Sequence, residues 1–183
     1  MSGYILNYND VLSFWFEEIR SAQWFVKSDE LDTLIIDRFS NLHAQAARAE
    51  LYEWRETARG RLAEIIVLDQ FSRNMYRNSP LAFACDPLAL VLAQEAIRCG
   101  ASSQLNPLEC SFLYMPLMHS ESLLIHAQAV KLFESNGIAM NLEYELKHKA
   151  IIEKFGRYPH RNAVFGRSST PEEVEFITSH PGF

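Results

Sequence analysis

The chain has 183 residues and a mass of 21.1 kDa, with 48% hydrophobic and 22% charged residues, which excludes wholesale disorder and a fibrous repeat and leaves room for one ordinary domain, 1–183. Its formal net charge of −6 opposes non-specific binding to nucleic acid or anionic lipid. Cys85, Cys99 and Cys110 are an odd number without Cys-x-x-Cys spacing, so neither a disulfide framework nor a zinc knuckle is expected; they suit a reducing cytoplasm, as small hydrophobes.

The N-terminal stretch MSGYILNYND lacks a basic start, an apolar run and a cleavage site, so it does not read as a signal peptide. No run approaches about 18 consecutive apolar residues, so no membrane span is expected. From there the spacing predicts helices near 10–19, 29–50, 58–75, 87–99, 107–118, 121–135, 142–155 and 171–179. Leu31, Leu34, Ile35, Phe39 and Leu42 make a stripe at helical spacing. The third helix is apolar almost all round from Leu62 to Leu68, which marks it as central and buried. Asp86-Pro87, Asn106-Pro107 and Thr170-Pro171 read as N-caps followed by proline at the first helical position, and Gly100, Gly137 and Gly156 as C-terminal caps. Pro116 should kink or end its helix. Valine and threonine are sparse and hairpin signals absent, so the protein is expected to be all-α, with consecutive helices as antiparallel neighbours. Trp15, Phe16, Trp24, Phe25 and Trp54 are taken as core.

Three polar clusters interrupt this pattern: Asp69 to Asn74, His119-Ser120-Glu121, and Gly156 to Asn162. The first ends a buried helix, where Asp69 and Arg73, and Gln70 and Asn74, stand four residues apart; polar groups there must find partners or face a cavity. The third lies in the one cationic segment, Lys147 to Arg167, where six Lys or Arg (Lys147, Lys149, Lys154, Arg157, Arg161, Arg167) face a single acid, Glu153. Arg outnumbers Lys twelve to five in the chain, which suits directed bidentate contacts.

Together with Phe14-Trp15-Phe16, Trp24-Phe25, Arg59-Gly60-Arg61-Leu62-Ala63, Gly166-Arg167 and Ser169-Thr170-Pro171-Glu172-Glu173, these clusters occur in the order found in the bacterial domain-of-unknown-function family 924, which the chain resembles over nearly its whole length. The resemblance implies a tetratricopeptide-like α/α superhelix and supplies no activity. Members of that family commonly carry an acidic residue where Ser122 stands and glutamine where His126 aligns, so the chain departs from the pattern just after the His-Ser-Glu motif.

Two functions fit the residues. One is a pocket for a small anionic ligand bearing phosphate or carboxylate. There Arg73, Asn74, Arg157, Arg161 and Asn162 would bind, and Asp69, His119, Glu121 and His160 would serve as acid, base or orienting acceptor. The other is a helical scaffold whose groove takes a peptide, a partner subunit or a second copy of the chain as a homodimer. In a bracing alternative to the pocket, Asp69 pairs with Arg73, Arg157 ties a loop to an orphan carbonyl, and His160 and Asn162 cap helix ends. No cofactor or metal is implied: the H-x-E order lacks the cysteines of a zinc deaminase, and hydrolase, P-loop and dinucleotide fingerprints are missing.

Overall fold

The computed structural model describes residues 6–180. Residues 1–5 and 181–183 lie outside it, and with them part of the N-terminal stretch and the outer ends of the 1–183 range. Among the described residues every regular element is helical, so the protein is all-α.

Helix α1 (Tyr8–Ser13) opens on a capping box between Asn7 and Asp10 and continues directly into a π-helical turn, Phe14–Glu18. Helix α2 (Asp29–Ala47) starts where the Ser28 hydroxyl accepts the Leu31 N–H, with Asp29, Glu30 and Asp32 favourably placed in its positive first turn. It stops short of residue 50 because Ala49 adopts a left-handed φ of 57°. Helix α3 (Ala58–Ile66) begins on Thr57 and passes unbroken through a second π-helical turn, Val67–Phe71, into α4 (Ser72–Met75). The remaining helices are α5 (Asp86–Arg98), α6 (Pro107–Met118), α7 (Leu123–Asn136), α8 (Ala139–Phe155) and α9 (Pro171–Ser179).

The punctuation is largely as the sequence suggests. Asn106 and Thr170 form capping boxes with Glu109 and Glu173, and Gly137 and Gly156 close α7 and α8 at φ of 77° and 70°. Asp86 is the exception. Cys85 occupies the N-cap position and Asp86 is the first residue inside α5, its carboxylate turned to arginines elsewhere. Pro116 does not break α6, which runs two residues further to Met118, because this proline comes in the last turn.

The π turn after α3 places Leu62, Ala63, Ile65, Ile66, Val67, Leu68 and Phe71 together in the core. Phe71 meets Phe14, Trp15 and Phe39 at centroid distances of 5.9, 5.7 and 4.9 Å, which locks the first π turn, α2 and the second π turn together. Gly60 lets α3 start beneath the preceding 3-10 turn, Tyr52–Glu56: a Cβ there would lie 2.0 Å from the Trp54 carbonyl oxygen. Consecutive helices α5, α6, α7 and α8 pack on one another in turn. By length and a hydropathy of 1.4 the stretch Pro80–Arg98 could cross a membrane. In the fold it is a 3-10 turn, Pro80–Phe83, followed by α5, which buries one face, Ala89, Leu92, Ala93 and Ala96, in the core. Two expected core positions are corrected: Phe25 is 69% exposed and Cys99 lies at the surface. A small satellite cluster of Ile151, Ile152 and Tyr158, backed by Phe155 and Phe176, anchors the C-terminal segment.

Candidate functional site

Five segments meet where the main core ends and the satellite cluster begins. The π turn supplies Asp69, α4 supplies Arg73, and the start of α5 supplies Asp86. His119 is the residue that ends α6, and Arg161 comes from a 3-10 turn, Pro159–Arg161. Buried Asp69 is the hub: its Oδ1 is 2.7 Å from His119 Nδ1 and 3.0 Å from Arg73 Nη1, and Gln70 donates to its Oδ2 at 2.6 Å. Arg73 also grips Asp86 with both Nη atoms, at 2.9 and 3.0 Å. Arg161 reaches Asp86 at 3.3 Å and donates to the His119 carbonyl at 3.0 Å. Its guanidinium is held between the rings of Phe83 and Tyr158, 4.6 and 4.7 Å from their centroids.

The electrostatics follow from this geometry. Burial pushes the Asp69 carboxyl up, but Arg73, His119 and Gln70 more than offset it, so Asp69 stays ionised. Burial, then the Arg73 charge, hold His119 below its ordinary 6.5 against the pull of Asp69, which leaves the imidazole neutral at pH 7. Burial and Arg73 also lower Arg161, which remains a cation because guanidinium is so basic. Asp69 and Asp86 balance Arg73 and Arg161, two charges against two. With the proton on Nδ1 directed at Asp69, His119 turns Nε2 outward, and among the described residues Nε2 makes no hydrogen bond. The His119 side chain is 16% exposed, Arg73 20% and Arg161 13%, and this partly exposed edge is the mouth of the site. Two open surface depressions, of about 220 and 190 Å³, lie elsewhere, one at the turn between α7 and α8 and one between Lys154 and α9.

The nine residues singled out in the sequence therefore do not share one place. Asp69, Arg73, His119 and Arg161 converge. Glu121 stands next to them but is turned away, bound to Arg167 by two bonds of 2.8 and 2.9 Å and accepting the Tyr158 N–H at 2.8 Å. Asn74 donates to buried Asp32 on α2 at 2.8 Å, not to Gln70; the π turn sets the two amides on different faces. Arg157, His160 and Asn162 form a bracket at the C-terminal end. Arg157 holds Glu173 with two bonds of 2.7 and 2.9 Å and donates to the Ser168 carbonyl at 3.0 Å. Asn162 donates to Ser169, and His160 bonds the His180 carbonyl and packs edge-on to Phe176. The cationic run is neutralised residue by residue: Lys147 by Glu143, Lys149 by Glu153, Lys154 by Glu172, Arg157 by Glu173, Arg161 by Asp86 and Arg167 by Glu121.

Asp86 is the site residue the sequence hides, since Asp-Pro before a helix reads as a cap. Phe83 and Tyr158 are hidden likewise, as ordinary packing, while Gln70, spaced as a partner for Asn74, serves Asp69 instead. The sequence signal for Asp86 is the excess of arginine in the clusters, which calls for a further acid beside them.

A family model described as a bacterial protein of unknown function, DUF924, matches residues 11–181, and the chain belongs to that family. It is similar to a solved protein of unknown function from Agrobacterium tumefaciens, with 37% identity and a TM-score of 0.90 over 94% of this chain and 97% of that one. No curated protein matches.

Proposed function

We propose, for this member of a family without an assigned activity, that the protein binds a small phosphate- or carboxylate-bearing ligand at the mouth between Arg161, Arg73 and His119. His119 acts there as the proton acceptor and donor. What supports this most is a single arrangement: a buried, ionised Asp69 fixes His119 through Nδ1 and leaves Nε2 open toward solvent beside two guanidinium groups. An imidazole held this way is oriented and unprotonated at neutral pH, as a general base requires. Arg161 and Arg73 supply donors for an anionic group, with their own charge already balanced by Asp86 and Asp69, so affinity comes from directed bonds more than from net charge.

A panel of inorganic phosphate, phosphomonoesters and short dicarboxylates, read by melting temperature, tests the reading. A ligand present at about 100 times its Kd stabilises the fold by about 2.7 kcal/mol. At least one should raise the melting temperature of the native protein, and Arg161→Met should abolish that rise. A flat response across the panel contradicts the pocket and leaves the scaffold reading in place.

A further inference from the structure

We propose that His126 and Glu145, acting with Tyr158, are positioning residues for His119. The inference rests on the reading of His119 as the acid–base group of the site. The helix that ends on His119 leaves its last carbonyls without intrahelical partners, as every helix does. Here the carbonyls of Met118 and His119, and that of Ser120 just beyond the helix, are taken by side chains. Tyr158 Oη donates to the Met118 carbonyl at 2.5 Å, Arg161 to the His119 carbonyl at 3.0 Å, and His126 Nε2 to the Ser120 carbonyl at 2.9 Å. The backbone on both sides of the imidazole is thereby clamped from α7 and from the segment after α8.

His126 and Glu145 have no exposed surface, and they meet at 2.7 Å between Nδ1 and Oε1. Both ring nitrogens of His126 thus face an acceptor, the Ser120 carbonyl on one side and Glu145 on the other. A neutral imidazole carries one proton, so a second one must sit between His126 and Glu145. The other carboxyl oxygen, Oε2, is buried without a hydrogen-bond partner, which suits a protonated acid far better than a carboxylate. Burial pushes the Glu145 carboxyl up against the opposing pull of His126 and Lys149. Whichever partner holds the shared proton, the pair as a whole is neutral. It therefore fixes the Nε2–H of His126 on Ser120 without adding charge behind the site.

Tyr158 closes the arrangement. Its hydroxyl lies 3.1 Å from His126 Nε2, and its ring carries the Arg161 guanidinium on one side and meets His148 edge-on at 5.7 Å. The titratable and charged groups around His119 are Asp69, Arg73, Asp86, Arg161 and His148; those around the pair are Tyr158, Lys149 and His148. The contact of the pair with the His119 segment is the bond from His126 to the Ser120 carbonyl, so the pair acts on His119 through the backbone.

The test uses the whole chain labelled with ¹⁵N-histidine, with imidazole spectra followed from acid to mildly alkaline pH. In the native protein His119 should be a single tautomer protonated at Nδ1, with a midpoint below 6.5. Glu145→Gln supplies an N–H to His126 Nδ1 and should preserve that signature. Glu145→Leu removes the partner and should broaden His119 between two tautomers, with its midpoint raised by about half a unit or more toward the ordinary value. His126→Asn, whose shorter amide can meet Glu145 but not reach the Ser120 carbonyl, should produce the same broadening and guards against a failure of the leucine variant to fold. If both disruptive variants leave the tautomer and midpoint of His119 unchanged, the pair only caps α6 and the proposal is overturned. Failure of phosphate to move His119 in the native protein, with Glu145→Leu still mobilising it, would remove the anion-binding reading and keep this one.

Discussion

Two groups of histidine, arginine and carboxylate adjoin at His160 and Arg161 and end differently. In the bracket around Arg157, His160 and Asn162 the donors end on Glu173, Ser169 and the carbonyls of Ser168 and His180. At the mouth around Asp69 the same residue types leave a nitrogen over: His119 is fixed at one end and open at the other. Composition cannot separate these cases, because both contain the same chemistry. They are separated by where the acids come from. The bracket draws its acid from a helix cap sixteen residues away, whereas the mouth draws Asp69 and Asp86 from two elements distant in sequence.

The largest expected difference concerns the hub. Asp69→Asn leaves Arg73 and His119 beside an uncharged amide and should cost about 3 kcal/mol in denaturant unfolding, as for other broken buried pairs. A cost below about 1 kcal/mol would place Asp69 among ordinary surface acids. Next comes pH. His119, His43 and His148 all have depressed values in the fold, burial being the first cause in each, with His148 brought down to about 4. Their contribution is complete above the unfolded value of 6.5 and is lost as pH falls through the folded values, at up to about 1.4 kcal/mol per pH unit for each group. Unfolding free energy should therefore fall between about pH 6.5 and pH 4, and His119→Gln should make the slope shallower. Glu145 works the other way: its stabilisation is present below its ordinary value and fades as pH rises through its raised one. The smallest effect belongs to the bracket. Thr170→Ala removes the cap that Glu173 shares and should cost about 1 kcal/mol, while leaving phosphate binding at the mouth unchanged. A loss of phosphate binding in that variant would mean the two regions are not independent.

Much of the fold was legible because helix signals are local. Asn106 with Glu109, and Thr170 with Glu173, make their capping boxes, and the apolar run from Leu62 to Leu68 is the buried centre. What was not legible has physical causes. A π turn has no distinctive periodicity, so the departure of Gln70 and Asn74 to different partners could not be read from a four-residue spacing. Asp86 carried a local signal for capping that its tertiary partners override. The grouping of His160 with His119 failed because adjacent residues in a tight turn point apart: Arg161 reaches Asp86 while His160 faces α9.

The most direct test is a phosphate titration followed in the amide and histidine spectra of the native protein at neutral pH. The account predicts shifts concentrated at His119, Ser120 and Arg161, with the amides of Arg157, His160 and Asn162 still. Shifts confined to the Arg157–Asn162 bracket, or absent throughout, would contradict it.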